Sequence, residues 1–471
     1  MTPSMRGTGH LEPLRSLALR QMGLAYRQDP QDVFSKLRRA VHKASNLEEA
    51  WRVIYRNGRY SNSDDVRKAI ECFSLDPPRN LRSIQRRLSR GTFDFGKARG
   101  APIQKRDGKG KPTGKIRPIV IASLEARIVQ RAILNVLVEI PALKPYTNTP
   151  YSFGGLRKAR SGDKAPGEDI SAVPAAIKAV LDEIGTGASW IAAADITGFF
   201  TKIPKSKVIS IIGNAIKDPD LMNLLEAAIN VELENLSELR KFADQFPIED
   251  IGVAQGNSLS PLLGNVLLSE FDQLMNEGDC RCIRYIDDFI ILAPTRKAAD
   301  ARLRKAKRLL KEFNMELAPE KSSKRAQEVS EGFEFLGIEL SPGFVRPAKK
   351  ARTKFLASIE SQLDASKSAI RGLRHGHKID PKLALISTLK RIDGMVDGWG
   401  KHYWFCNDRQ TFRAVDEKVR SSIGSYLGAY SDTRSRLPED QEHLPLGLTT
   451  LGEMERSPFA YPKQARRVAD T

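Results

Sequence analysis

Residues 282–293 read Cys282-Ile-Arg-Tyr-Ile-Asp-Asp-Phe-Ile-Ile-Leu-Ala293. Two apolar segments meet at a pair of aspartates, Asp287 and Asp288, and this pattern predicts a β-hairpin with carboxylates at its turn. Adjacent carboxylates beside apolar strands are costly unless water or a cation compensates their charge. Taken alone, an Asp-Asp pair in a hairpin is more often a solvated turn than a catalytic site. The hairpin therefore needs a second group before it indicates chemistry.

A second strand-like segment supplies a third carboxylate. It reads Trp190-Ile-Ala-Ala-Ala-Asp195-Ile-Thr-Gly-Phe-Phe200 and ends its apolar run in one aspartate, which alone would be interpreted as a helix N-cap. If this strand pairs with the hairpin in one sheet, three carboxylates come together. Ligands that are all oxygen favour Mg²⁺ over zinc or iron, and two Mg²⁺ ions bridged by carboxylates would suit phosphoryl transfer.

Composition limits the classes of protein. The chain has 471 residues, of which 41% are hydrophobic and 28% charged, and its net charge of +19 favours a polyanionic partner, first of all nucleic acid. No apolar run approaches a membrane-spanning helix and no signal-peptide pattern is visible, so we expect a cytoplasmic protein without a membrane partner. The four cysteines are too scattered for a disulfide framework, and Cys280 and Cys282 are interpreted as small buried residues. His375 and His377 indicate a turn, with a metal site as the weaker alternative.

The segments around these motifs are mainly helical and basic. Residues 101–121 predict a β-hairpin with a Gly- and Lys-rich tip, and Ile116, where a P-loop needs Ser or Thr, argues against a Walker ATPase. Helices are predicted near 123–140 and 172–184, and three apolar stripes beyond residue 347 predict a small helical bundle. The cations of the hairpin that would suit a triphosphate are Lys105, Lys109, Lys111, Lys115 and Arg117.

Together, the motifs resemble those of a bacterial reverse transcriptase related to the group II intron enzymes. Residues 285–288 are similar to the Y-x-D-D box of that family, the segment from Asp195 to Phe200 to its first catalytic motif, and residues 255–265 to its Q-G-x-x-x-S-P-L-L-x-N motif. Further similarities are Arg117-Pro-Ile-Val-Ile, Arg127-Ile-Val-Gln-Arg131, Phe335-Leu-Gly337 and Trp399-Gly-Lys-His-Tyr403. All of these motifs stand in the family's order, so their chance occurrence is very improbable.

The resemblance implies a role for each matching residue. Asp195, Asp287 and Asp288 would be catalytic and, with Ile196, would hold two Mg²⁺ ions, with Mn²⁺ as an alternative; Asp288 would be the more peripheral ligand. Lys321 would protonate pyrophosphate, or would equally be a surface lysine. The implied nucleotide-binding residues are Lys115, Arg117, Phe199, Phe200 and Gln255. The implied nucleic-acid-binding residues are Arg127, Arg131, Gly256, Tyr285, Gly337, Trp399 and Tyr403.

The implied fold is an α+β right-hand polymerase, with fingers, a palm that carries an antiparallel sheet, and an α-helical thumb. Expected boundaries are a basic helical N-terminal extension at 1–75, fingers at 76–188, a palm at 189–347, a thumb at 348–430 and a C-terminal tail at 431–471.

The implied activity is RNA-directed DNA polymerisation from dNTPs on an RNA template. Phe200 would exclude a 2′-hydroxyl from the sugar site, unless its ring serves only core packing. The sequence lacks a C-x-x-C and His-rich endonuclease, and residues 151–168 carry an insertion relative to the intron family's Y-G-F-R-P pattern. These departures favour a domesticated, defence-associated (antiphage) enzyme that copies a structured noncoding RNA. Alternatives are an intron-type maturase that acts as a splicing cofactor, an RNA-dependent RNA polymerase, or a template-independent nucleotidyl transferase. The sequence leaves the primer and the oligomeric state open.

Overall fold

The computed structural model describes residues 34–61, 63–106, 112–155, 172–230, 232–247, 250–448, 451–457 and 459. The chain divides into two compact units, the first ending at Leu336 and the second beginning at Gly337. Four predicted features lie wholly or partly outside the described residues. They are the start of the N-terminal extension, the hairpin tip with Lys109 and Lys111, most of the loop at 151–168, and the end of the C-terminal tail.

The first unit combines helices with antiparallel strands. Its helices are α1 (Lys36–Val41), α2 (Ala44–Gly58), α3 (Asp64–Ser74), α4 (Pro77–Ser89), α5 (Leu124–Leu137), α6 (Lys144–Thr147), α7 (Ala172–Gly185), α8 (Lys205–Ile216), α9 (Pro219–Ile229), α10 (Leu236–Leu239), α11 (Ser260–Leu267), α12 (Ser269–Met275) and α13 (Arg296–Lys311). Its strands are β1 (Arg99–Arg106), β2 (Pro112–Ile121), β3 (Trp190–Asp195), β4 (Arg281–Tyr285), β5 (Asp288–Ala293), β6 (Gln327–Glu328) and β7 (Phe333–Phe335). Helices α5 and α7 confirm the two helices that the apolar spacing predicts.

Helix α4 shows why the basic N-terminal segments fold as helices. Asp76 caps the helix by accepting from the Arg79 N–H, and Pro77 fits the first turn because its missing donor would be unpaired there. One face buries Leu81, Ile84 and Leu88 in the core of the unit, and the opposite face exposes arginines. The predicted amphipathic, cationic helix is confirmed.

The central sheet has the strand order β4-β5-β3-β6. Strand β3 pairs antiparallel with β5 in a register that sets Asp195 directly opposite Asp288. Because side chains alternate between the two faces of a sheet, Tyr285 lies on the same face as these two carboxylates. On the opposite face Ala194 and Phe289 belong to the same core as the buried side of α13. The predicted pairing of the Asp195 strand with the hairpin is therefore confirmed.

Strands β1 and β2 form the predicted hairpin, which pairs Arg99 with Ile121. Burial alternates along β2, so Ile116 faces a small apolar cluster while Lys115 and Arg117 are exposed. Strand β2 therefore presents Lys115 and Arg117 on the same, exposed face.

The second unit contains a short hairpin and three long helices. These elements are β8 (Ile338–Ser341), β9 (Phe344–Pro347), α14 (Lys349–Gly372), α15 (Leu385–His402) and α16 (Arg409–Arg434). The apolar stripes of the three helices share one core, as predicted. The expected thumb boundaries differ, because the compact unit begins at Gly337 and α16 continues to Arg434. Tyr426, Tyr430 and Thr433 extend the buried stripe of α16 past residue 430, which explains the longer helix.

All four cysteines are free thiols. Cys280 and Cys282 are buried beside and within β4, as predicted, whereas Cys72 is exposed on α3 and Cys406 is partly buried. Among the described helices, none combines the length and the apolar character that crossing a membrane requires.

Candidate active site

Asp195 and Asp288 meet at the end of the central sheet. Asp195 is 6% exposed, and it stands directly opposite Asp288 in the register of the two strands. Burial, followed by the hydrogen bond and charge of Asp195, raises the pKa of Asp288 to about 7. Burial and the charge of Asp195 also raise the pKa of Asp287. The structure thus brings the three predicted carboxylates together at a place where burial and their mutual repulsion disfavour the ionised forms.

A loop after α13 carries Lys321 to this cluster. The loop follows β3, because the Ala318 N–H donates to the Asp195 carbonyl at 2.7 Å and the Ser323 N–H donates to the Ala193 carbonyl at 2.8 Å. Lys321 Nζ lies 2.9 Å from each carboxylate oxygen of Asp195. Burial alone would lower the pKa of Lys321, but the hydrogen bond and charge of Asp195 outweigh it and raise that pKa. The Lys321 side chain is also 59% exposed, so the geometry fits both the proposed proton donor and a surface lysine paired with Asp195.

The main chain of Ile196 adds an oxygen donor to the cluster. Its N–H donates to the Asp287 carbonyl at 3.0 Å, while the flanking residues pair with the loop segment of Leu317. In extended backbone the N–H and C=O of one residue point to the same side, which would direct the Ile196 carbonyl toward Asp287 as well. Within the described residues no group of three or more His, Cys, Asp or Glu side chains is arranged around a metal position. Mg²⁺ is usually held by one or two carboxylates with substrate phosphates and water, so carboxylates plus a carbonyl fit that ion.

The β1–β2 hairpin places further cations near the carboxylates. Lys115 Nζ lies 2.8 Å from Glu320 Oε1, in the same loop as Lys321. The positive charge of Arg117 acts on Asp287 and opposes the rise in its pKa. Burial and the neighbouring cations lower the pKa of Lys105, so this lysine also belongs to the cluster.

The two phenylalanines after β3 have different environments. Phe199 is 2% exposed and lies against Gly264 of α11, where an added Cβ would come within 2.7 Å of the Phe199 ring. Phe200 is only partly buried, and its ring centroid lies 5.2 Å from that of Phe199. Of the two predicted nucleotide contacts, Phe200 is the one that can meet a ligand, and Phe199 supports it from the core.

Gln255 and Gly256 are joined to the cationic hairpin. The Gln255 carbonyl accepts from the Val120 N–H at 3.1 Å. Gly256 has a φ of 110°, and a Cβ there would lie 3.2 Å from the Val120 carbonyl oxygen, so glycine suits this close approach. The segment is thereby fixed beside the strand that carries Arg117.

Two of the predicted nucleic-acid contacts in the first unit are partly buried arginines of α5. Burial lowers the pKa of Arg127, whose guanidinium packs close to Gly58 of α2. Arg131 is also partly buried. Tyr285 is half-buried beside Asp288, and burial raises its pKa. Of these three residues, Tyr285 is the one that the structure places at the carboxylates.

The predicted contacts of the second unit lie in its own packing. Trp399 stacks on Phe355 with ring centroids 4.7 Å apart and also contacts Tyr403, which is 8% exposed. Gly337 has a φ of 75°, and its carbonyl accepts from the Ala348 N–H at 2.9 Å. These residues stabilise the bundle and the turn before β8. The predicted His375 and His377 turn is present, with Gly376 in the left-handed region.

Sequence reasoning assigned no role to Arg284, which is fully buried next to Tyr285. The available signal was an arginine inside the apolar strand of the hairpin, because a buried charge requires a partner. The sequence did not identify that partner.

Comparison with known proteins gives the family. The family described as "Reverse transcriptase (RNA-dependent DNA polymerase)" matches residues 103–340. Protein YkfC of Escherichia coli (strain K12) is 26% identical over 267 residues, which are 49% of this chain and 64% of YkfC. Group II intron-encoded protein LtrA of Lactococcus lactis subsp. cremoris is 26% identical over 247 residues, which are 52% of this chain and 36% of LtrA. This chain therefore spans less than two thirds of these relatives.

Among solved structures, apo telomerase from Candida Tropicalis, truncated from the C-terminal domain, shares 14% identity over 52% of this chain and 53% of that chain. Its TM-score is 0.33, which carries no functional argument. The family match covers half of the chain and includes the central sheet with all three aspartates. The α+β class and the resemblance to bacterial, group II intron-type enzymes are confirmed, and this chain belongs to the reverse transcriptase (RNA-dependent DNA polymerase) family.

Proposed function

We propose that this chain is an RNA-directed DNA polymerase that extends a primer with dNTPs in the cytoplasm. The observation that carries this proposal is the register that sets Asp195 against Asp288, with Asp287 adjacent and Lys321 bound to Asp195. Close carboxylates surrounded by cations suit a reaction in which phosphate charge must be held and moved.

In the proposed reaction the primer 3′-oxygen forms a bond to the α-phosphorus, and the bond from that phosphorus to pyrophosphate breaks. Two Mg²⁺ ions, held by Asp195, Asp287, Asp288 and the Ile196 carbonyl, would supply activation of the 3′-hydroxyl and stabilisation of the phosphate charge. Lys321 lies at the same carboxylates, where its ammonium can give a proton to the leaving pyrophosphate.

The remaining contacts orient the nucleotide. Lys115 and Arg117 extend from the exposed face of β2 toward the carboxylates and would bind the triphosphate. Phe200 would pack under the deoxyribose, where a rigid ring leaves no room and no partner for a 2′-hydroxyl. Gln255, held against β2, would line the same pocket.

We propose that residues 76–188 act as fingers, 189–347 as palm and 348–430 as thumb, between the extension at 1–75 and the tail at 431–471. The compact second unit begins at Gly337, so the structural boundary precedes the functional one. The net charge of +19 supports binding of a nucleic-acid duplex along these surfaces.

We also propose that the template is a dedicated structured noncoding RNA and that the biological role is antiphage defence. The exposed arginines of α4 support an RNA partner beyond the primer–template duplex, and the insertion at 151–168 relative to the intron-family pattern supports a domesticated enzyme. A second candidate is a maturase that binds RNA as a splicing cofactor, which the similarity to the group II intron-encoded LtrA favours.

The test is labelled nucleotide incorporation by the full chain on a defined RNA template with a DNA primer. It compares dNTPs with NTPs in Mg²⁺, for the wild type and for Asp287→Asn. We expect dNTP incorporation that the substitution abolishes, and we expect Phe200→Ala to admit NTPs. Incorporation that survives Asp287→Asn would contradict the polymerase assignment. RNA binding without incorporation, together with stimulated splicing of a group II intron, would favour the maturase.

A further inference from the structure

We infer that Arg284 is a positioning residue that fixes the turn on which Asp287 and Asp288 stand. The inference rests on the proposed function, because it concerns how the carboxylates of that reaction are held. The side chain of Arg284 does not face the substrate side of the sheet, since it lies on the face opposite Asp195 and Asp288.

Arg284 is held by a buried ion pair. The guanidinium is 0% exposed and forms a bidentate ion pair with Asp272 of α12. Its Nε donates to Oδ1 at 2.7 Å and its Nη2 donates to Oδ2 at 2.5 Å. Asp272 is itself only 3% exposed. A planar, two-armed pair of this kind fixes orientation as well as position.

The same guanidinium reaches across the turn. Its Nη1 donates to the Ile286 carbonyl at 2.9 Å. The register pairs Tyr285 with Asp288, so Ile286 and Asp287 form a two-residue hairpin turn. Such turns need a positive φ at their first residue and therefore usually use glycine or asparagine. Here a β-branched residue, Ile286, adopts a φ of 62°. The surroundings must hold a conformation that this residue disfavours on its own.

A second layer supports the arginine. Asn265 Oδ1 accepts from Arg284 Nη2 at 3.3 Å and from Ser152 Oγ at 3.1 Å. The main chain of Arg284 pairs with the neighbouring segment, donating to the Tyr151 carbonyl at 2.8 Å and accepting from the Phe153 N–H at 2.9 Å. Side chain and main chain are therefore both fixed.

The main chain of Gly154 packs against Ile286 in the turn. A Cβ at this position would lie 2.5 Å from Ile286 Cγ1 and 2.8 Å from the Ile286 nitrogen. The turn is thus enclosed between the Arg284 guanidinium and the main chain of Gly154. Because Asp287 directly follows Ile286, any rotation of this peptide would displace the carboxylates.

The experiment measures steady-state extension by Arg284→Lys at a temperature well below its melting transition. Lysine keeps the charge but cannot bind Asp272 and the Ile286 carbonyl with one planar group. Arg302→Lys is the matched control, since Arg302 also caps the end of α12, through the carbonyls of Leu274 and Met275, but does not touch the turn. Circular dichroism and melting curves report the folded fraction of each variant.

We expect Arg284→Lys to lower kcat by about 10- to 100-fold while the KM for dNTP changes by less than about twofold. We also expect the rise in melting temperature caused by Mg²⁺ to shrink. Arg302→Lys should lower the melting temperature and leave both kcat and the Mg²⁺ effect unchanged. A folded Arg284→Lys protein with wild-type kcat would reduce Arg284 to a structural residue and overturn the inference.

Gly154→Ala decides the matter if Arg284→Lys does not fold. It pushes on Ile286 from the other side and leaves the ion pair intact, so a folded protein with reduced kcat supports the inference. Unchanged kcat would overturn it. Failure of the proposed function is distinguishable, because the wild type itself would then incorporate no dNTP, while the Mg²⁺ effect on melting would still compare the variants.

Discussion

Two buried carboxylate groups lie beside the central sheet, one consisting of Asp272 and the other of Asp195 with its neighbours. Their electrostatic surroundings are opposite in kind. Asp272 is fully neutralised by the two-armed contact with Arg284. Asp195 faces Asp288 and receives a single lysine whose side chain is 59% exposed. The Asp272 carboxylate is fully paired within the fold, whereas the carboxyl groups of Asp195, Asp287 and Asp288 are crowded against each other.

This difference in pairing indicates that Asp272 contributes to stability, whereas the Asp195 cluster is suited to binding ligands. A buried carboxylate that is paired becomes a rigid part of the scaffold, and removing one partner leaves a charge without compensation. Carboxylates crowded against each other destabilise the fold but are ready to receive cations and phosphates. The two groups are joined through Arg284 and Ile286, so the satisfied pair supports the strained one.

The largest expected effect concerns the strained group. Asp287→Asn should lower the rate of dNTP incorporation by about 10³-fold or more, because a metal-holding carboxylate is lost. The melting temperature should stay the same or rise, since burial and the charge of Asp195 disfavour ionised Asp287. Parallel assays of extension and thermal unfolding check this. If Asp287→Asn lost activity only because it unfolds, Asp287 would serve stability as Asp272 does, and the proposed difference between the two groups would be wrong.

The paired group should behave in the reverse way. Asp272→Asn leaves the guanidinium of Arg284 buried without a counter-charge, so the free energy of unfolding should fall by about 3 kcal/mol. Urea unfolding measures this change. A loss below about 1 kcal/mol would indicate that Asn265 and the Ile286 carbonyl are sufficient partners for Arg284.

Much of the fold follows from periodicity, which is local in sequence. Strand β3, the hairpin of β4 and β5, and the bundle stripes from Phe355 onward are readable because apolar side chains recur with period two or about 3.6. Helix α16 extends beyond the predicted boundary because Tyr430 and Thr433 continue its buried stripe. Both side chains carry a hydroxyl group, so from sequence alone they are interpreted as surface residues.

The site is less readable, because contacts across the fold decide it. Family motifs correctly place Asp195 beside the hairpin, but they do not separate Phe199, which is core, from Phe200, which is partly exposed. Trp399 has a motif position typical of nucleic-acid contact, but the motif does not reveal that its ring also stacks on Phe355 within the bundle. Arg284 was missed because its partner comes from another helix and neither spacing nor composition reveals their approach.

A smaller effect is the pH dependence of stability that we expect from Asp288. The folded-state pKa of Asp288, raised to about 7 mainly by burial, exceeds its unfolded value of 3.8. The stabilisation linked to its proton is therefore complete below about pH 4 and is lost as the pH rises through about 7. Asp288→Asn keeps a neutral hydrogen-bonding side chain, and the full shift of the Asp288 pKa corresponds to about 4 kcal/mol. Because solvent screens this partly exposed side chain, the variant should gain roughly 2 kcal/mol over the wild type at pH 8 relative to pH 4. Melting curves at both pH values test this, and equal differences at the two would contradict the raised pKa of Asp288.

The smallest effect belongs to an exposed pair. Lys115 and Glu320 form a salt bridge with both side chains more than half exposed. Lys115→Gln should change the melting temperature by no more than about 1–2 °C, because solvent screens such pairs. The KM for dNTP should rise if Lys115 binds the triphosphate as proposed. A large loss of stability would show that the hairpin, and not only the buried pairs, anchors the site.

The unequal burial of the four cysteines makes the chain suitable for labelling without mutation. Burial raises the pKa of the Cys280 and Cys282 thiols, and it raises the pKa of Cys406 to about 12. At neutral pH these three thiols are therefore scarcely ionised. Cys72 is exposed on α3. Since the thiolate is the reactive form, a maleimide dye should modify Cys72 first. One fluorophore would then report nucleic-acid binding by the first unit of the wild-type chain.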